Sequence, residues 1–152
     1  MDHVTELLAM EAIKRLKARY FRYFDTKDWQ RWIDVFTDDV TLEFGVRVCA
    51  DGEDPTAAKL TGKKAILDYV IPYTTKEQTV HHGHTPEIEI LSDTEARGVW
   101  AMEDIVDHAD YTIHGFGHYH ETYRKVGDEW CIASVRLTRL RISQFRRNSV
   151  VL

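Results

Sequence analysis

A tyrosine and an aspartate close the first amphipathic segment of this chain, and a histidine cluster, His81-His82-Gly83-His84, stands far downstream. Leu8, Ala12, Ile13, Leu16, Tyr20, Tyr23 and Phe24 recur at three- and four-residue steps and mark one buried helical face. Tyr20 lies within that stripe, so the spacing carries its hydroxyl toward the interior. Asp25 follows where the helix breaks before Thr26-Lys27-Asp28. A hydroxyl or carboxylate buried without a partner costs roughly 1–3 kcal/mol, so both need one. For a carboxylate in a proton-transfer site, histidine is the natural partner. Imidazole titrates near neutrality, and an acid behind it orients the ring and stabilises its protonated form. These residue types suit acid–base chemistry, with a histidine of the cluster as the proton shuttle. The plainer alternatives are a rim tyrosine with a wet hydroxyl and an aspartate capping the next helix.

The elements that must position these groups can be read from periodicity. Residues 4–25 are helical, and a second short helix runs from about Lys27 to Phe36, with Trp29, Trp32, Ile33 and Phe36 at i, i+3, i+4 and i+7. Asp38-Asp39 is expected to turn, Val40 to Phe44 to form a first strand, and Val46 to Leu60 to be a long surface loop. Lys63 to Val70 carries a third helical pattern. From Thr79 the chain becomes strand after strand: Val80 to Ile90, Ala96 to Val106, Tyr111 to Val126 and Trp130 to Ser143, separated by polar turns. Helices followed by an antiparallel meander predict an α+β fold. A strongly curved antiparallel sheet packed on the N-terminal helices would leave a cone-shaped cavity, a normal place for a small-molecule site.

Composition narrows the function. The 152 residues suit one domain, with no internal repeat, low-complexity tract or linker. Lys and Arg number 20 against 25 Asp and Glu, a net charge of −5, which argues against a nucleic-acid footprint. The basic run Arg136, Arg139, Arg141, Arg146 and Arg147 alternates with apolar residues and fits a strand with mixed faces. Cys49 and Cys131 lack metal-type spacing and fit reduced thiols. With no secretory pattern at the N-terminus and no apolar run near eighteen residues, a cytoplasmic protein that makes no membrane contact is expected. No glycine-rich phosphate loop follows a strand, and no serine or cysteine has the setting of a nucleophile.

Several local patterns in order carry a family resemblance: Glu11 to Arg22 with Asp25, His81 to Ile88 (HHGHTPEI), Trp100 with Glu103-Asp104, and Trp130 followed by Arg139. Over nearly its whole length the chain resembles the SnoaL-like branch of the nuclear transport factor 2-like superfamily. The bile acid 7α-dehydratase type is nearest, and the likeness extends to scytalone dehydratase and lindane dehydrochlorinase. The resemblance implies catalytic roles for Tyr20, Asp25, His81, Asp104 and Arg139, in a centre that uses no metal or cofactor. The loop from Arg47 to Lys59 is longer and more acidic than the family pattern, and Phe116, His118 and His120 make a different wall.

Strand parity tests this set independently. Gly98, Trp100, Met102 and Asp104 share one face of their strand, and Ala133, Val135, Leu137 and Arg139 share one face of theirs. An acid and a base that end apolar rows suit a cavity with a polar end; a structural Asp104–Arg139 salt bridge is the alternative. Trp100, Met102, Phe116 and Leu137 are expected as substrate-binding walls. His82 and His84 face away from His81, and His118 and His120 share a face of a later strand; neither pair is expected to hold a metal. The function expected is a cofactor-free dehydratase acting on a small hydrophobic, cyclic or polycyclic, carbonyl-bearing substrate. An isomerase, a polyketide-type cyclase and a non-catalytic ligand binder are the alternatives. Apolar outward positions at Val99, Ala101 and Ile105 suggest a homo-oligomer. A trimer is favoured over a dimer, with the tail from Phe145 to Leu152 reaching a neighbour.

Overall fold

The computed structural model describes residues 2–49 and 54–146. Helix α1 (His3–Asp25) starts at Asp2, whose side chain accepts the backbone N–H groups of Val4 and Thr5. Its buried stripe is Ala9, Ile13, Leu16, Lys17, Tyr20 and Phe24. Helix α2 (Trp29–Ile33) is shorter than its apolar stripe suggests. Phe36, the last member of that stripe, opens β1 (Phe36–Val48) and pairs with Ile132. Burial satisfies Phe36 equally as a strand residue, so the helical spacing did not decide its conformation.

The remaining elements are β2 (Ala58–Thr61), α3 (Lys63–Thr74), β3 (Gln78–Ile90), β4 (Glu95–Asp107), β5 (Tyr111–Val126) and β6 (Glu129–Arg146). They form one six-stranded sheet in the order β2-β1-β6-β5-β4-β3, open at both edges. The helices stand on one face of it. The sheet is mixed rather than wholly antiparallel, because β1 lies parallel to β6. β1 joins the last strand of the chain, and α3 then carries the chain to β3 at the opposite edge. Asp38-Asp39 is not a turn but part of β1, beside a register shift between Phe36 and Thr41. The expected loop contains β2, which closes a hairpin on β1 with Thr41 opposite Thr61. Among the described residues, no helix is long and apolar enough to cross a membrane.

A further irregularity alters side-chain direction. Between Thr122 and Tyr123 the β5–β6 register slips, so Ile132, at 0% exposure, takes the inward place expected for Ala133. Val135 and Leu137 remain inward as expected.

Among the described residues, the core contains one fully buried ion pair. Lys17 on α1 bonds Glu121 on β5, and both side chains are 0% exposed. The ammonium also lies over the rings of Tyr119, Tyr20 and Phe21, at 3.8, 4.1 and 4.7 Å. Burial pushes Lys17 below its ordinary pKa, with Glu121 opposing the shift. The other Glu121 oxygen accepts the Tyr123 hydroxyl at 2.6 Å, and that hydroxyl accepts Trp100 Nε1 at 2.8 Å. This chain of bonds ties α1 to β4 and β5 beneath the candidate site.

Candidate active site

Close packing of α1 on β3 brings Asp25 to His81. At Gly83 a Cβ would stand 2.8 Å from the Phe21 ring, so only glycine lets the helix lie this near the strand. A carboxylate at a helix C-terminus is electrostatically unfavourable. Asp25 is offset by three donors from β3. His81 Nδ1 lies 2.7 Å from Oδ1, the His81 backbone N–H donates to Oδ2 at 2.9 Å, and the Thr79 hydroxyl donates to Oδ1 at 2.9 Å. Lys27 in turn donates to the Thr79 hydroxyl at 2.7 Å. Its backbone has φ 59°, which swings the chain past the helix end and aims the ammonium at β3. Burial lowers the Lys27 pKa, while the negative charges of Asp25 and Glu77 oppose this. An ionised Asp25 accepts only, so His81 Nδ1 carries the proton and Nε2 is left with its lone pair. The ring is flanked by Phe24 and Phe21, with centroids at 4.8 and 6.5 Å.

The polar end lies one strand away. His81 and Asp104 are directly opposite each other on β3 and β4. Asp104 pairs bidentately with Arg139 of β6, at 2.9 Å (Oδ1 to Nη1) and 2.7 Å (Oδ2 to Nη2). The salt bridge weighed as an alternative is therefore present. It crosses β5 at Gly115, where a Cβ would fall 2.1 Å from Asp104 Oδ1 and 2.3 Å from Arg139 Nη1. Arg139 Nε also points at the Gly45 carbonyl, at 3.4 Å.

Tyr20 is 3% exposed, and its hydroxyl has no hydrogen-bond partner among the described residues. Burial, together with the negative charges of Glu121, Asp25 and Asp104, holds its pKa far above the ordinary tyrosine value. It stays protonated, so its O–H remains available as a donor. Tyr119, 6.3 Å away between ring centroids, is shifted the same way, by burial first and then by Tyr20 and Asp104.

The inner side of the sheet thus gathers Tyr20, Asp25, His81, Asp104 and Arg139. Trp100, Met102 and Leu137 are buried on the same side. Phe116 is not: it pairs with Glu103 and packs tilted against His114, with ring centroids 4.8 Å apart, on the outer face. The inner space it was expected to fill belongs to the Asp104–Arg139 pair. A concavity of about 720 Å³ lined by Glu87, Val99, His120, Thr122 and Arg136 also lies on the outer face, away from His81. Sequence reading missed Thr79, Lys27, Tyr119 and Gly115. Parity on β5 could have found Tyr119; nothing local marks the others.

The family profile of the SnoaL-like domain matches residues 5–136. A probable cyclase of Gibberella zeae is 29% identical over 143 residues, spanning 87% of this chain and 91% of the relative. A presumptive scytalone dehydratase from Novosphingobium aromaticivorans superposes with TM-score 0.79 at 20% identity, over 97% of this chain and 94% of that one. A hexachlorocyclohexane dehydrochlorinase from Novosphingobium barchaimii gives TM-score 0.75 at 15% identity, over 99% and 98%. A Mycobacterium tuberculosis protein of unknown function gives 0.76 at 26% identity, over 93% and 78%. At these identities the superpositions establish a shared fold.

Proposed function

Because this chain belongs to the SnoaL-like family of the nuclear transport factor 2-like superfamily, we propose that it is a cofactor-free dehydratase for a cyclic or polycyclic, carbonyl-bearing substrate, either steroid-like or from an aromatic-ring pathway. The observation that carries this reading is the Asp25–His81 pair, held at 2.7 Å, with Nε2 bonded to none of the described residues.

In this reaction His81 Nε2 takes the proton from the carbon next to the carbonyl. The C–H electrons move toward the carbonyl and its oxygen becomes an enolate, to which Tyr20 donates a hydrogen bond. Return of those electrons forms the carbon–carbon double bond and expels the β-hydroxyl. The departing oxygen takes the proton from the His81 imidazolium and leaves as water, which restores the base. Asp104 and Arg139 form the polar end of the site. Because Arg139 engages both Asp104 oxygens, we assign proton return to His81.

A cyclase is the second reading, favoured by the relative from Gibberella zeae. The same enolate would then attack a second carbonyl of its own substrate. The test is incubation with β-hydroxy 3-oxo steroids and hydroxylated aromatic-ring precursors, followed by mass spectrometry and NMR. Loss of one water, abolished in His81→Ala, supports the dehydratase. An unchanged mass with a new ring supports the cyclase. Saturable binding without turnover would replace both with a binding protein.

We further propose a cytoplasmic homotrimer joined through the outer face of the sheet, with a dimer as the alternative. That face is more polar than expected: Val99 and Ile105 are half-buried, Ala101 is exposed, and histidines surround them. Within the proposed tail, residues 147–152 lie outside the described residues. Light scattering at micromolar concentration would show the mass of three chains; a stable monomer would refute the assembly.

A further inference from the structure

The outer face of the sheet, one residue removed from the dyad, carries a second set of converging groups. His82 and His84 alternate with His81 on β3 and so project from the opposite side. His82 is directly opposite Glu103 on β4, and His84 is opposite Ala101. The small Ala101 side chain leaves room for His84 to lean toward Glu103. His82 Nδ1 and His84 Nε2 stand 3.8 and 3.9 Å from the same oxygen, Glu103 Oε2. One ligand atom from each of the three residues falls within 4.8 Å of the others. Among the described residues neither imidazole makes a hydrogen bond, and both reach Glu103 only at long ion-pair distances.

We propose that His82, His84 and Glu103 form a binding site for a first-row transition-metal dication, with Zn²⁺ the best match. Two imidazole nitrogens and one carboxylate suit Zn²⁺ and its neighbours, whereas Mg²⁺ and Ca²⁺ prefer all-oxygen sets. Tetrahedral coordination with bonds of about 2.0–2.2 Å places ligand atoms about 3.4 Å apart. The observed separations close to that value by small rotations of two half-exposed imidazoles, 51% and 56% exposed. Glu103 is already fixed: its other oxygen is 2.6 Å from His114 Nε2 on β5, and the His114 ring packs on Phe116. Such a partner behind a ligating carboxylate orients it toward the ion. On the single chain the fourth coordination position faces away from the sheet, where water or an anionic ligand can complete the set.

This site is independent of the proposed dehydratase reaction, since its ligands project from the other face of the sheet. The test uses tag-free, full-length protein titrated with Zn²⁺ in competition with a chromophoric chelator, with Co²⁺ absorption reporting coordination geometry. One Zn²⁺ per chain is expected. Affinity should fall at least about tenfold in His84→Ala and in Glu103→Gln, and fall more mildly in His114→Phe. His118→Ala, on the same face but outside the triad, should bind as the unsubstituted protein does. Circular dichroism checks that each variant is folded. Unchanged affinity in His84→Ala and Glu103→Gln would overturn the proposal, as would an equal loss in His118→Ala. One ion per three chains would also overturn it, by moving the site between subunits.

Discussion

Asp25 holds His81 through both of its carboxylate oxygens: Oδ2 accepts the backbone N–H at 2.9 Å, and Oδ1 faces ring Nδ1 at 2.7 Å. The backbone bond fixes where the strand sits relative to the helix end, and the ring bond fixes the tautomer. One residue therefore sets both position and protonation pattern. Asp25→Asn keeps the size but loses the acceptor-only character. Turnover should fall by about 10²–10⁴-fold, the usual scale of a general-base contribution. The melting temperature should change far less than activity does. A variant with full turnover would remove the dyad from the mechanism.

Tyr20 separates a chemical from a structural role. Its ring is packed by Phe21, Trp32, Phe36 and Tyr119, but its hydroxyl bonds no described residue. Tyr20→Phe keeps the packing and removes only the donor. Catalysis should drop by roughly 10²–10³-fold, as when one oxyanion donor is lost. Thermal stability should remain close to that of the parent. A large fall in melting temperature with normal turnover would reverse the assignment.

Gly115→Ala tests the polar end without touching either charged residue. The added methyl would meet both Asp104 and Arg139, at 2.1 and 2.3 Å, and must separate them. Breaking a buried ion pair costs about 3–5 kcal/mol. For a chain of this size that corresponds to a melting temperature lower by roughly 6–20 °C. Asp104→Ala should lose a similar amount, and combining the two should add little, because they act on one pair. Additive losses in calorimetry would mean that the glycine serves another purpose.

Asp54 predicts an acid-sensitive segment beside the polar end. Its carboxylate accepts the Thr56 hydroxyl at 2.6 Å and the backbone N–H groups of Thr56, Val46 and Arg47 at 2.8, 2.9 and 3.0 Å. The Thr56 hydroxyl bond, followed by the backbone bonds, lowers its pKa from 3.8 to about 2 against the opposing effect of burial. A folded pKa below the unfolded one means the stabilisation is complete above the unfolded value. It is lost as pH falls through the folded value. The Val46 and Arg47 amide resonances should therefore titrate with a midpoint near 2, and Asp54→Asn should abolish the transition. A midpoint close to 4 would show that these bonds are not made in solution.

Local pattern determined much of this protein. The stripe of α1 carried Tyr20 inward and left Asp25 at the helix end, and alternation marked four long strands with Asp104 and Leu137 on buried faces. These features depend on neighbours within a few residues, and side-chain periodicity reports them directly. Lys17 shows where that logic stops. It was no part of the stripe read from the sequence, and its burial depends on Glu121, 104 residues away.

Only the tertiary structure decided how distant segments meet. The parallel seating of β1 beside β6, the slip that turned Ile132 inward and the strand at Ala58–Thr61 all arise from pairing between remote segments. Phe116 went to the outer face because the inner space beside Gly115 is occupied by a charge pair drawn from β4 and β6. Hydrophobicity favours burying a phenylalanine over a glycine, yet a buried carboxylate and guanidinium must find each other first, since leaving either unpaired costs more than exposing an aromatic ring.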